Sequence, residues 1–106
     1  VWTMPLSKLE VHQYDTGKLV QGKHEHAVSI TNKCSELCVQ RNVKLNCSGF
    51  QTVKRVDPSI LKVSGDVCVV KNDLPITSDA PVNFRYAWSN SFNLKPISSN
   101  IHCHKS

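Results

Sequence analysis

The sequence predicts an all-β protein, a small disulfide-stapled β-sandwich of about seven to eight antiparallel strands. Three observations point there. Apolar and polar residues alternate over short stretches along the whole chain, and no helical periodicity is sustained. Turn-forming residues separate those stretches at close intervals. Five cysteines are strung through only 106 residues, high for a cytosolic domain and typical of a stapled extracellular one. A chain of this length has room for one core, so residues 1–106 are expected to form a single secreted domain.

The elements follow in order. Leu9-Glu10-Val11-His12-Gln13 alternates, and Tyr14-Asp15-Thr16-Gly17 supplies a turn. Val28 and Ile30 face one way and Ser29 and Thr31 the other, in a strand ending at Asn32-Lys33-Cys34. Past a corner from Cys34 to Cys38, Val43, Leu45 and Cys47 alternate with Asn42, Lys44 and Asn46. Ser48-Gly49 breaks this strand, and Phe50 to Val56 resumes extended. Asp57 as cap and Pro58 at the first position open one helical turn, which Ser64-Gly65-Asp66 leaves no room to lengthen. Val67 to Val70 reads as a short buried strand, with Lys71-Asn72-Asp73 turning it. Val82, Phe84, Tyr86 and Trp88 share one face of the clearest strand and should form the middle of the core. Their burial contributes several kcal/mol at about 25 cal/mol per Å² of apolar area. Ile97 to Cys103 is the last strand. Each such strand leaves one face polar, and function is expected on those outward faces.

Charge and composition narrow the function classes. No apolar run approaches the roughly 20 residues that span a bilayer, and the signal peptide of a secreted protein is expected to lie outside this chain. The net charge of +5 permits acidic partners, among them a receptor face or pectin-like wall polymers. The charge permits nucleic acid too, but no nucleic-acid partner is expected, because the basic residues are scattered, with Lys54-Arg55 the only adjacent pair and no stacking aromatics interleaved. No G-x-S-x-G, H-E-x-x-H, G-K-[ST] or dinucleotide loop is present, and the acidic residues stand singly, so no enzyme activity and no cofactor is expected.

The cysteines lack the paired short spacings of a zinc site. Cys34 and Cys38 flank a tight corner and can approach the ~5.5 Å between Cα atoms that a disulfide needs. Cys47 ends one strand and Cys68 lies in another, which suits a cross-strand bridge. Cys103 is left without an evident mate, as an odd count requires of one thiol. His24-x-His26 and His102-x-His104 carry ligand-like spacings, but nothing in the sequence brings them together, and no metal is expected. Asn46-Cys47-Ser48 is an N-glycosylation acceptor sequence whose asparagine alternation turns outward. Trp88 and Phe92 stand in a polar loop, a candidate binding loop through exposed aromatics unless Trp88 closes the core and Phe92 covers its edge.

Leu9-Glu10-Val11-His12-Gln13, Thr16-Gly17-Lys18, Thr31-Asn32-Lys33-Cys34, and Val43 to Phe50 are a set of runs that, in this order, resembles the plant tapetum determinant 1-like family. Val56-Asp57-Pro58-Ser59, Asp66 to Val70, Val82 to Trp88 and Ile101-His102-Cys103 complete the set, covering about positions 6 to 103. The resemblance implies a secreted, cysteine-rich plant protein of the apoplast with a sandwich-like domain and no catalytic residues. It implies a ligand for a leucine-rich-repeat receptor kinase ectodomain in reproductive or developmental cell-fate specification. One departure stands out: members carry a cysteine just before the first strand, where this chain reads Trp2 to Leu9 without one. If the family joins its first and last strands there, Cys103 is the residue orphaned. The alternative function is a cell-wall carbohydrate-binding module, suggested by basic charge, the sandwich class and the Trp88–Phe92 loop. An inhibitor of a secreted enzyme is a third reading, resting on size and cysteines alone.

Overall fold

In the computed structural model, which describes residues 8–34 and 38–103, seven strands form two antiparallel sheets. The three-stranded sheet has the order β1 (Leu9–Val20), β2 (Lys23–Asn32), β6 (Val82–Ala87). The four-stranded sheet has the order β4 (Leu61–Ser64), β5 (Val67–Val70), β3 (Cys38–Asn46), β7 (Lys95–Cys103). Their facing sides share one apolar cluster: Val28, Ile30, Val82 and Phe84 from one, Val43, Leu45, Leu61, Cys68 and Val70 from the other. Ile76, wholly buried, bridges to Gln40 of β3 through backbone hydrogen bonds in both directions. The expected all-β sandwich is therefore the observed architecture.

Local chemistry explains where strands depart from the sequence reading. The turn expected at Tyr14 to Gly17 is instead an irregularity inside β1. Asp15 pairs with His26 and Leu19 with His24, so two more residues lie on β1 than on β2 between those rungs. Gly17, at φ +84°, and its N–H bond to Asp15 Oδ1 accommodate the excess. The hairpin turns at Gln21-Gly22, whose two positive φ angles match the twist of the flanking strands. On β3, Cys38 and Gln40 are buried, and so are Val43 and Leu45. An even-to-odd change of phase needs one inserted residue, and Asn42 at φ +53° supplies it. Phe50 to Val56 contributes no regular strand. It crosses to the free edge of β6, where Val53 N–H donates to the Ala87 carbonyl and Ala87 N–H to Thr52 Oγ1. The helical turn expected after Asp57 is only a hydrogen-bonded turn at residues 58–60, and Leu61–Ser64 is strand β4 instead. Asp57 still ties the turn down, its Oδ1 accepting from both Ser59 N–H and Ser59 Oγ at 2.9 Å.

Two disulfides link β3 to its neighbours. Cys47–Cys68 is the cross-strand bridge expected. The Cys34–Cys38 bridge does not form, and Cys103 is not the unpaired residue: Cys38 bridges Cys103, and Cys34 is the free thiol. The cause is register, since β3 and β7 pair antiparallel with Cys38 directly opposite Cys103, their Cα atoms 4.0 Å apart. Cys34 is buried instead against a polar group that joins the sheets. Asn32 Oδ1 accepts from Cys34 N–H and from Gln40 Nε2, which also reaches Cys34 Sγ at 3.3 Å. Asn32 Nδ2 donates to the carbonyls of Cys38 and Ile76, and Ser99 Oγ donates to Gln40 Oε1. Burial pushes the Cys34 thiol above its usual pKa, against the opposing hydrogen bond from Gln40.

Candidate functional site: the outer face of the three-stranded sheet

Two cross-strand rows build a concave feature on the outer face of the three-stranded sheet. Alternation sends His12 and Tyr14 of β1, Ala27 and Ser29 of β2, and Asn83 and Arg85 of β6 away from the core. Register then aligns His12 with Ser29 and Asn83, and Tyr14 with Ala27 and Arg85. The central strand contributes small side chains and the flanking strands large ones, so an open groove of about 340 Å³ runs along β2. Its walls are a phenol, an imidazole, a carboxamide and a guanidinium, and its floor holds a hydroxyl and a methyl. Tyr14 is 64% exposed, unusual for so large a ring on a folded surface.

Ion pairs fix both ends. At one end His12 Nε2 meets Glu10 Oε1 at 3.1 Å. At the other, Glu25 is nearly buried although it sits on the outer face. Thr16 Oγ1 donates to it at 2.8 Å and Arg85 Nη1 at 3.2 Å, with Lys54 Nζ 3.7 Å away. The Thr16 hydroxyl first, then the cations Arg85, Lys54 and Lys18, hold its carboxyl below the ordinary value of 4.5, overcoming a burial effect of opposite sign. Three cations around one carboxylate leave this end of the groove positive. The side chains offer hydrogen bonds and stacking, without a nucleophile paired to a base.

The residues nominated from sequence fall elsewhere. Phe92 packs with Phe50 and Tyr86, at ring centroid distances of 5.3 and 5.8 Å. Its backbone is tied down as well: Phe92 N–H donates to Tyr86 Oη, and Gln13 Nε2 to the Phe92 carbonyl. Trp88 is half-buried against the core with Lys23 Nζ 5.2 Å above its ring. These rings close the sandwich end, the second of the two sequence readings for this loop. Asn46 ends β3 on the outer side of the opposite sheet. His24 pairs with Asp15 at 3.1 Å, while its neighbour in the spacing, His26, is buried and stacked on Tyr86. His104 lies outside the described residues, and among these no three potential ligands converge on a metal position. Sequence reasoning missed the groove because Tyr14 looked like a turn residue, and only register shows that Ala27 alone separates it from Arg85.

Comparison with known proteins adds a family. The family described as Tapetum determinant 1, C-terminal, matches residues 5–104. An uncharacterised protein of Arabidopsis thaliana is 35% identical over 79 residues, covering 72% of this chain and 61% of its own. TPD1 protein homolog 1 of the same plant is 29% identical over 87 residues, 81% of this chain and 49% of its own. TPD1 protein homolog 1B of Oryza sativa subsp. japonica is 30% identical over 94 residues, 88% of this chain and 54% of its own. The chain thus spans about half to three fifths of the length of these curated relatives. No solved structure matches it significantly.

Proposed function

The chain belongs to the plant tapetum determinant 1 family, a family of plant development, and on that premise we propose that it is a secreted, non-enzymatic signalling ligand. Its partner is the ectodomain of a leucine-rich-repeat receptor kinase, met through the outer face of the three-stranded sheet. The observation that carries this reading is the groove itself, with exposed Tyr14 facing Arg85 across Ala27. Tyr and Arg are, with Trp, the side chains enriched among binding hot spots, and a small residue between them leaves room for a partner's side chain. The two disulfides suit an oxidising extracellular compartment, the apoplast in a plant. The positive end beside Glu25 favours an acidic surface on the receptor and speeds encounter with it.

Binding to a panel of leucine-rich-repeat ectodomains by surface plasmon resonance tests the reading. One receptor should bind, and Tyr14→Ala and Arg85→Ala should each weaken it roughly tenfold, about 1.4 kcal/mol. Lys62→Ala, on β4 of the other sheet, should leave binding unchanged. Silence across the panel, or full affinity in both groove variants, would sink it.

A glycan in the same groove is the second reading, favoured by the exposed Tyr14 ring beside hydrogen-bonding His12, Ser29, Asn83 and Arg85. A carbohydrate-binding module should retain wall oligosaccharides on a glycan array and lose them with Tyr14→Ala.

A further inference from the structure

Asn46-Cys47-Ser48 is the only Asn-x-Ser/Thr sequence in the chain, and receptor docking on the opposite sheet makes no use of it. Asn46 is the last residue of β3, between Val67 of β5 and Lys95 of β7. Leu45 and Cys47 on either side of it are fully buried, so alternation directs the Asn46 carboxamide out of the core. Ser48 Oγ donates to Asn46 Oδ1 at 2.9 Å, and Ser48 N–H reaches the same oxygen at 3.4 Å. Among the described residues Asn46 Nδ2 donates no hydrogen bond, and it is not a buried atom. Gly49, at φ +72°, then turns the chain, leaving Ser48 and Gly49 exposed. The acceptor nitrogen is therefore free, the hydroxyl two residues on is already beside its carboxamide, and the half-buried Asn46 is followed directly by exposed chain.

We propose that Asn46 carries an N-linked glycan, transferred from a lipid-linked oligosaccharide, which covers the outer face of the four-stranded sheet. In the transfer, Asn46 Nδ2 attacks the anomeric carbon of the donor. The C–N bond forms as the bond from that carbon to the pyrophosphate oxygen breaks, the lipid pyrophosphate leaves, and the amide proton passes to a base of the transferase. The inference rests on the secretory part of the reading above, because that is where such a donor is found.

Cys47 lies inside the acceptor sequence and bridges Cys68 on the neighbouring strand. An oligosaccharide transferase takes its acceptor as an extended, accessible segment, whereas the bridge fixes Asn46 at a strand end. Bridge closure and sugar transfer therefore compete for the same three residues. Once attached, the glycan projects from the face opposite the groove and leaves Tyr14 and Arg85 uncovered.

The test expresses the chain behind a secretory leader in plant cells and reads intact mass, with and without peptide N-glycosidase, on cellular and secreted protein together. The wild type should carry one enzyme-releasable glycan, absent from both Asn46→Gln and Ser48→Ala. Cys68→Ser, even if it folds poorly, should show a higher fraction modified than the wild type. A disulfide-bonded, unmodified wild-type chain in the medium overturns the proposal, as does modification confined to Cys68→Ser or a glycan that survives Ser48→Ala. Those failures leave receptor docking untouched. A glycosylated wild type that binds no ectodomain breaks the docking reading instead.

Discussion

The carboxamide of Asn32 makes four hydrogen bonds inside the protein, to Cys34, Cys38, Gln40 and Ile76, and is 1% exposed. Removing it takes away the acceptor of the Cys34 N–H and one donor each from the Cys38 and Ile76 carbonyls, and a buried group left unsatisfied costs about 1–3 kcal/mol. Asn32→Ala should therefore lower unfolding free energy by about 3 kcal/mol in urea titration. A loss below about 0.5 kcal/mol, the size of an ordinary surface change, would show that the joint is dispensable. Glu25 sets a different dependence. Its folded pKa lies below the ordinary 4.5, so its contribution is fully present above that value and is lost as pH falls through the folded pKa. Thermal midpoints should hold from neutral pH to about 5 and drop on the acid side of 4.5, and Glu25→Gln should flatten that limb. An acid limb unchanged in Glu25→Gln would assign it to other carboxylates. Neither residue was conspicuous in the sequence: an Asn before a Cys reads as a strand end, and a lone Glu between two histidines as solvated.

At the scale of elements, the alternation of Val28 with Ser29, of Val43 with Lys44, and of Phe84 with Arg85 was legible, and each of these strands is present. Alternation is a local property, so it survives without knowledge of partners. What it cannot show is a phase change, because an inserted residue looks like the end of a strand. That is why β1 seemed to stop at Gln13, and why Cys38 and Gln40 were not joined to the strand of Val43 and Leu45. The bulge at Asn42 makes the point testable. A β-branched residue at φ +53° is strained, so Asn42→Val should cost about 1–3 kcal/mol, whereas Asn42→Gly keeps the conformation accessible and should cost far less. Equal stabilities in denaturant for the two variants would show that the bulge is not what aligns the two halves of β3.

For the whole molecule, the bridges decide more than any single strand. Cys38–Cys103 spans 65 residues of sequence and Cys47–Cys68 spans 21. Chain-entropy reasoning gives these closures about 4 and about 3 kcal/mol. Cys103→Ser should accordingly lower stability under oxidising conditions by about 4 kcal/mol, with Cys34 still a thiol on non-reducing peptide mapping. A Cys34–Cys38 peptide in the native protein would reverse the assignment. Sequence placed Cys47 with Cys68 because both sit in evident strands, but pairing Cys38 with Cys103 required knowing that β7 returns beside β3. The groove was illegible for the same reason, since its walls come from β1 and β6, some seventy positions apart in the chain and adjacent only through β2.

With four of five cysteines locked, the sealed thiol at Cys34 is a built-in clock. At 5% exposure it meets an alkylating reagent only when the packed layers part around Asn32 and Gln40. The pace at which added reagent consumes it, followed by mass in the unaltered chain, counts those openings directly. Any ligand that clamps the layers together would slow the clock, whichever surface it occupies.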